Sequence, residues 1–404
     1  MDVAAGLCAM IMISKYQFIV FRAVFGLYLC QHFAGLLPYG AELFSREGVL
    51  ADAKLNFTHG LLPNPLEHWD SPLFVTSFLW ALLALSVLFA FGLGWRICAL
   101  LLWYGWACLF DRNNLISNPS LPYIGLLLLF CALLPPLKRW KFPPILFHVA
   151  WISLAVGYTF SGVVKCFSPS WLDGTAMLHV VNNPLARPGI FRDAFLALPL
   201  WAIKLSTWGS LALEVSFVLL CLHRKTRLWA WLITSGMHLG ILLLIDFADL
   251  SFGMLMFHLF VFDPRWLPAR TKISGLVLYD GVCGMCDRTV QFLLEEDGSQ
   301  TLKFAALQGE IAKARADLPA DLKSVVFVAN HNTPQEKTFF RSEAILQTLD
   351  QIGGFWRVVS WLRIIPRPIR DAAYGAIAQR RYQWFGKFDT CRVPTPESRA
   401  RFLP

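Results

Sequence analysis

Leu276-Val-Leu-Tyr279, Asp280-Gly281-Val282, Cys283-Gly284-Met285-Cys286 and then Asp287–Asp297 form the stretch on which the C-terminal fold turns. Four apolar residues in a row read as a short buried strand. Asp-Gly turns the chain. The following run reads as an amphipathic helix with Val290, Phe292, Leu293 and Leu294 as its apolar content. Both cysteines therefore fall at a strand-to-helix turn. A helix N-terminus favours negative charge, so the first sulfur is placed where a thiolate is stabilised. Two intervening residues let the second sulfur reach the first and close a small ring. In this reading Cys283 attacks a disulfide or accepts an electron pair, and Cys286 resolves the mixed species. The alternative, half of a zinc site, needs two more ligands. Cys391 and His331 are the only ones at hand, and neither has the paired spacing.

Outward from that turn the pattern stays that of a small α/β domain. Segments 302–307, 322–329 and 337–341 read as strands, and 309–316 and 342–352 as helices, the second with Ser342 as its N-cap. A further helix after Pro368 carries Tyr374, Arg381 and Tyr382. A strand, a Cys-x-x-Cys helix and then βαββα suggest a thioredoxin-like domain over 271–404.

Upstream the composition changes. The 404 residues are 56% hydrophobic and only 16% charged, where soluble domains average about a quarter charged. The deficit is concentrated before the junction at Pro264–Lys272, so 1–265 reads as a separate membrane domain. A crossing helix needs roughly 20 apolar residues. Segments 17–37, 72–94, 95–110, 120–137, 143–164, 199–222, 228–247 and 248–263 qualify, the third and eighth being short. The expected fold is an all-α transmembrane bundle of about eight helices plus the small α/β domain. Trp and Tyr gather near several span ends, as interfacial belts do. The opening Met1–Ser14 has neither a basic leader nor a cleavage pattern, so the first span serves as its own insertion signal.

Basic connections hold Arg96, Lys138-Arg139-Trp140-Lys141, Arg224-Lys225-Thr226-Arg227 and the junction at 265–272, and they alternate with poorly basic ones. By the positive-inside rule, an even number of spans with both termini cytoplasmic satisfies every loop, in a cell inner (plasma) membrane. Loop 165–198 is then outside, and the Cys-x-x-Cys domain is cytosolic. A seven-span count puts that domain outside instead. The net charge of +9 is not gathered into a stripe with interleaved aromatics, which excludes a nucleic-acid footprint.

An ionisable residue at membrane depth is a functional candidate. Glu214 lies inside the sixth span on one face with Thr207 and Ser210, His238 is mid-way along the seventh and His258 is in the eighth. Arg22 and His32 stand towards opposite ends of the first. Glu214 and His238, on neighbouring spans, are expected to meet as a carboxylate–imidazole pair that relays a proton or holds a polar ligand. Interhelical hydrogen bonding accounts equally for these groups. Lys165 ends the fifth span, either snorkelling or acting as a base.

Two resemblances extend these readings. Ser161-Gly162-Val163-Val164-Lys165 followed by Trp171-Leu172-Asp173-Gly174 resembles a segment of the HTTM membrane-domain family, which includes the vitamin K-dependent γ-glutamyl carboxylases. The likeness extends to Phe21-Arg22, Gly26, Glu214 and His238. It implies Lys165 as a base and a quinone-like ligand in the bundle. Those enzymes carry a large extracytoplasmic domain after their spans, a part this sequence does not show. Leu278 to Cys286, Phe304-Ala-Ala-Leu-Gln308, Ser342-Glu-Ala344 and Ala378-Gln-Arg-Arg-Tyr382 resemble the DCC family of thiol-disulfide oxidoreductases across nearly all of 275–403. That resemblance implies Asp280 beside the two cysteines.

Three functions fit these expectations. The first is a membrane oxidoreductase whose Cys283 and Cys286 exchange electrons with a thiol or disulfide partner, while the bundle holds a quinone or other apolar substrate near Glu214, His238 and Lys165. In it about 30 Å of bilayer separates Lys165 from the thiols, so the two cannot share one reaction site. The second is maturation of a secreted peptide at the outer face. The third is a transporter or sensor switched by the thiols.

Overall fold

The apolar runs fold as helices because helical geometry satisfies every backbone amide within the segment. The computed structural model describes residues 13–269, 273–319, 324–389, 396 and 398–404. It divides into two compact units, Met1–Phe262 and Asp263–Pro404.

In the first unit a helix stands at each of the eight apolar segments. They are α1 (Lys15–Leu36), α2 (Pro72–Phe91), α3 (Trp95–Arg112), α4 (Leu121–Leu133), α5 (Pro144–Lys165), α6 (Leu200–Leu222), α7 (Arg224–Leu244) and α8 (Ala248–Phe260). Five of them, α1 with its continuation to Phe44, α2, α5, α6 and α7, are long and apolar enough to cross a membrane. α4 and α8 are shorter apolar helices, and α3 carries Arg96, Asp111 and Arg112. Helix starts follow local chemistry. The Ser14 hydroxyl accepts from the Gln17 N–H at 3.0 Å to cap α1, and Ser71 caps α2 ahead of Pro72. Where the sequence reads as loop, short helices occur at Gly40–Phe44, Pro65–His68, Pro169–Leu172, Ala176–Val181 and Ile190–Leu196. They are too short for apolar periodicity to register.

Small residues set the closest approaches. A Cβ at Gly26 of α1 would lie 2.5 Å from the Ala90 Cβ of α2, so glycine lets these two backbones meet. Gly162 does the same for α5 and α6: a Cβ there would lie 2.6 Å from the Val215 nitrogen. That second contact positions the polar groups described below.

The second unit holds a four-stranded sheet in the order β2-β1-β3-β4, with β1 Gly275–Tyr279, β2 Leu302–Ala306, β3 Val326–Ala329 and β4 Lys337–Phe340. β1 and β2 are parallel, joined through helix α9 (Gly284–Glu296), whereas β3 runs antiparallel to both β1 and β4. β1 is central and buried along its whole length, as its unbroken apolar run requires. On one face Val277, Tyr279, Phe304 and Phe327 pack against Val290 and Leu293 of α9 and against Ala344, Leu346 and Leu349 of helix α10 (Arg341–Ile352). The other face packs Leu276, Leu278, Ala305, Val326 and Val328. Ser342 is not the cap expected of it. It sits inside the first turn of α10, and its hydroxyl donates to Asp371 Oδ1 at 2.5 Å, because helix α11 (Arg367–Phe385) brings a carboxylate across the helix start.

Candidate functional site

Cys283 is the N-cap residue of α9, its backbone still extended (φ −95°, ψ 121°), with its N–H donating to the Asp280 carbonyl at 3.2 Å. Cys286 lies one turn on. Both are free thiols, but their surroundings differ. Cys283 is 0% exposed, whereas Cys286 is partly exposed at the rim of the core. Burial and the neighbouring Cys283 push the Cys286 thiol up to about 12. The strap that leaves α11 pairs with the backbone on either side of Cys283. Gly284 N–H donates to the Gly386 carbonyl at 3.2 Å, and Phe388 N–H donates to the Val282 carbonyl at 2.8 Å, an antiparallel bridge beside the first sulfur. A side chain at 284 would overlap the Phe385 carbonyl oxygen.

Asp280 anchors this turn. Its Oδ2 accepts from Arg381 at 2.8 Å and from the Tyr382 hydroxyl. Its Oδ1 accepts from Gln308 Nε2 at 3.0 Å and from the Val282 N–H at 3.3 Å. Gln308 closes the loop by accepting from the Gly281 N–H at 3.2 Å. Burial alone raises a carboxyl group; here the hydrogen bonds from Tyr382, Gln308 and Val282, with the Arg381 charge, outweigh it and hold Asp280 below the usual carboxylate range. Arg381 and Tyr382 lie about a hundred residues from Asp280 in the sequence, and only the packing of α11 on α9 brings them there. His331, considered as a zinc ligand, pairs with Glu336 at 3.1 Å, and Cys391 lies outside the described residues. Among the described residues no three His, Cys, Asp or Glu side chains gather to hold a metal ion.

The protein described as uncharacterized protein YuxK of Bacillus subtilis (strain 168) is 34% identical over 135 residues, covering 95% of that protein and 32% of this chain. The family model for DCC1-like thiol-disulfide oxidoreductases matches residues 277–387. The chain belongs to the DCC family. The DCC family protein At1g52590, chloroplastic, of Arabidopsis thaliana is 32% identical over 123 residues, 69% of that protein and 29% of this chain. No solved structure matches. The matched segment lies in the second unit, so the DCC domain is the thiol-bearing sheet just described.

Outside the DCC domain, the helical unit brings several sequence-predicted residues together. Lys165 Nζ lies 2.6 Å from each oxygen of Glu214, and 4.5 Å from the Trp171 ring centroid. Gly162 is one turn before Lys165, so the close approach of α5 to α6 sets the lysine on the carboxylate. Gly174 has φ +83° and packs under Lys204 and Trp208, and the Trp208 Nε1–H donates to the Leu172 carbonyl at 3.0 Å. The expected Glu214–His238 pair is replaced. His238 Nε2 meets the Tyr158 hydroxyl at 2.8 Å, and that hydroxyl is also 3.4 Å from His258 Nε2. His258 Nε2 lies 2.8 Å from the Thr234 hydroxyl, and its Nδ1–H donates to the Met254 carbonyl at 2.8 Å. His32 stands apart from this cluster's hydrogen bonds. Its Nδ1 is 2.7 Å from Asp249 Oδ1, which also accepts from Tyr28 at 2.9 Å, while Asn118 donates to Asp249 Oδ2 at 3.1 Å. Arg22 is buried, its guanidinium beside Gly92 at the end of α2. Tyr158 and Asp249 were missed by the sequence reading. The one signal for Asp249 is an acid placed at the start of an apolar run.

Proposed function

We propose that this chain is a membrane-bound thiol-disulfide oxidoreductase. Its DCC domain takes and gives an electron pair by interconverting the Cys283/Cys286 dithiol and disulfide, with Asp280 fixing the turn that carries both sulfurs. The observation that carries the reading is the sulfur pair at the start of α9, held by a carboxylate with four hydrogen-bond donors. The sheet order β2-β1-β3-β4, with only β3 reversed, supports a thioredoxin-like domain. The five long apolar helices support a plasma-membrane location, and the loop charges support both termini lying in the cytoplasm.

In this reading the helical unit is HTTM-like and holds a quinone-like or other apolar substrate. The meeting of Lys165 with Glu214 and Trp171 supports it, since charged groups in an apolar bundle are costly and so mark functional candidates. Lys165 acts as the base once its ammonium has passed a proton to Glu214, which holds it in place, and His238, Tyr158 and His258 bind polar atoms of the substrate. His32, paired to Asp249, supports a second polar spot. The test is quinone-dependent oxidation of the reduced DCC domain in membranes containing the full chain. Oxidation that requires Cys283 supports the proposal, whereas equal rates in the intact protein and in Cys283→Ser refute it. Loss of a secreted peptide product on deletion, with the quinone pool unchanged, favours peptide maturation at the outer face instead.

A further inference from the structure

We propose that, when the domain disulfide is attacked by a substrate thiol, Cys286 is the sulfur that meets the substrate and Cys283 the one that leaves. This rests on the thiol-disulfide reading above and reverses the order expected from the sequence. Three observations carry it. First, displacement at a sulfur requires open space at that sulfur, and Cys283 has none, being 0% exposed. Second, the strap Phe385–Phe388 is hydrogen-bonded to Val282 and Gly284 on either side of Cys283, and Gly284 leaves room for the Phe385 carbonyl. Third, Cys286, one turn along α9, is partly exposed.

The chemistry follows from the placement. In the disulfide form a substrate thiolate attacks Cys286 Sγ. A substrate–Cys286 bond forms, the Cys283–Cys286 bond breaks, and the electron pair leaves on Cys283. That thiolate departs at the N-terminus of a thirteen-residue helix, where negative charge is favoured, and a well-stabilised leaving thiolate leaves faster. The second substrate thiolate then attacks its own sulfur in the mixed disulfide. The substrate disulfide forms and Cys286 departs with the electron pair. Cys286 then takes up a proton, and because burial pushes its thiol up, this departure is the slower of the two steps. The substrate dithiol is oxidised, the domain disulfide is reduced, and the two protons lost by the substrate thiols are matched by those on the cysteines.

The experiment uses the full chain in detergent, mildly oxidised, with glutathione as the attacking thiol. After rapid mixing, acid quench and alkylation, peptide mapping by mass spectrometry locates the glutathione and the freed thiol. The expected result is glutathione on Cys286 and the alkyl label on Cys283, by at least about tenfold over the reverse. Phe388→Pro removes the N–H that ties the strap to Val282, and it should raise loading at Cys283 without slowing loading at Cys286. Glutathione found mainly on Cys283, or equally on both, overturns the proposal while leaving the thiol-disulfide reading intact. Failure of the wild-type chain to form a Cys283–Cys286 bond under oxidation overturns both.

Discussion

Replacing Lys165 with Met removes a cation from a carboxylate that has almost no water to turn to. The Glu214 side chain is 4% exposed and the Lys165 side chain 25%. Breaking a buried pair by deleting one partner costs about 3–5 kcal/mol, most of it from the stranded charge. The two deletions should therefore be unequal. Lys165→Met strands the more deeply buried group and falls at the upper end. Glu214→Gln leaves the ammonium with some water and with the Trp171 ring at 4.5 Å, so its cost is set by one charged hydrogen-bonding interaction, about 1.5–3 kcal/mol. The double variant Lys165→Met/Glu214→Gln should be less destabilised than Lys165→Met alone, because no unpaired charge remains. At about 2–4 °C per kcal/mol for a unit of this size, Lys165→Met lowers the midpoint by roughly 10–20 °C. Thermal unfolding of the full chain in detergent, followed by helical circular dichroism, reads all three shifts, with the exposed Lys138→Met as control. A Lys165→Met shift no larger than that control, or a double variant more destabilised than Lys165→Met alone, refutes the reasoning.

Asp280→Asn removes the negative charge paired with a buried Arg381 and should destabilise the DCC domain by about 3–5 kcal/mol, read from the urea midpoint of its unfolding. Because the folded Asp280 carboxyl is held below its usual range, its stabilisation is complete above about pH 4 and is lost as pH falls through the lower folded value. The gap between wild type and Asp280→Asn should therefore close only under strong acid; a gap that stays constant to about pH 2 contradicts the network. Gly284→Ala forces a Cβ onto the Phe385 carbonyl, so it should cost about 1–3 kcal/mol and lift the strap. Faster alkylation of Cys283 in that variant is the check, and unchanged alkylation counts against the strap as its cover. Gly26→Ala drives a Cβ to 2.5 Å from Ala90 and should lower the melting midpoint of the helical unit by a similar energy. An unshifted midpoint shows that α1 and α2 separate freely.

Local features were legible in the sequence because the information for them is local. The strand–turn–helix around Cys283 needs only an apolar run, Asp-Gly and an amphipathic repeat, and β1 and α9 stand where those signals put them. Strand Lys337–Phe340 and the eight apolar segments have the same origin. Partnerships between elements were not legible. Glu214 looked towards His238 because their helices are consecutive, yet glycine at 162 admits α5 closer, and Lys165 takes the carboxylate. No one-dimensional pattern shows that Asp249 closes on His32, or that Arg381 and Tyr382 return to Asp280. The inequality of the two cysteines was hidden for the same reason. It comes from a strap a hundred residues later in the chain, which only the packing of α11 sets beside the first sulfur.

The crowding at Gly284 has a consequence for how this couple can be retuned. A Cys-x-x-Cys pair offers two interior positions through which side chains can reshape its redox poise. Here one is closed by the Phe385 carbonyl, so natural drift and protein engineering alike have Met285 alone to work with inside the ring. Any larger adjustment has to come from the far end of the chain, by loosening or tightening the peptide that lies across it.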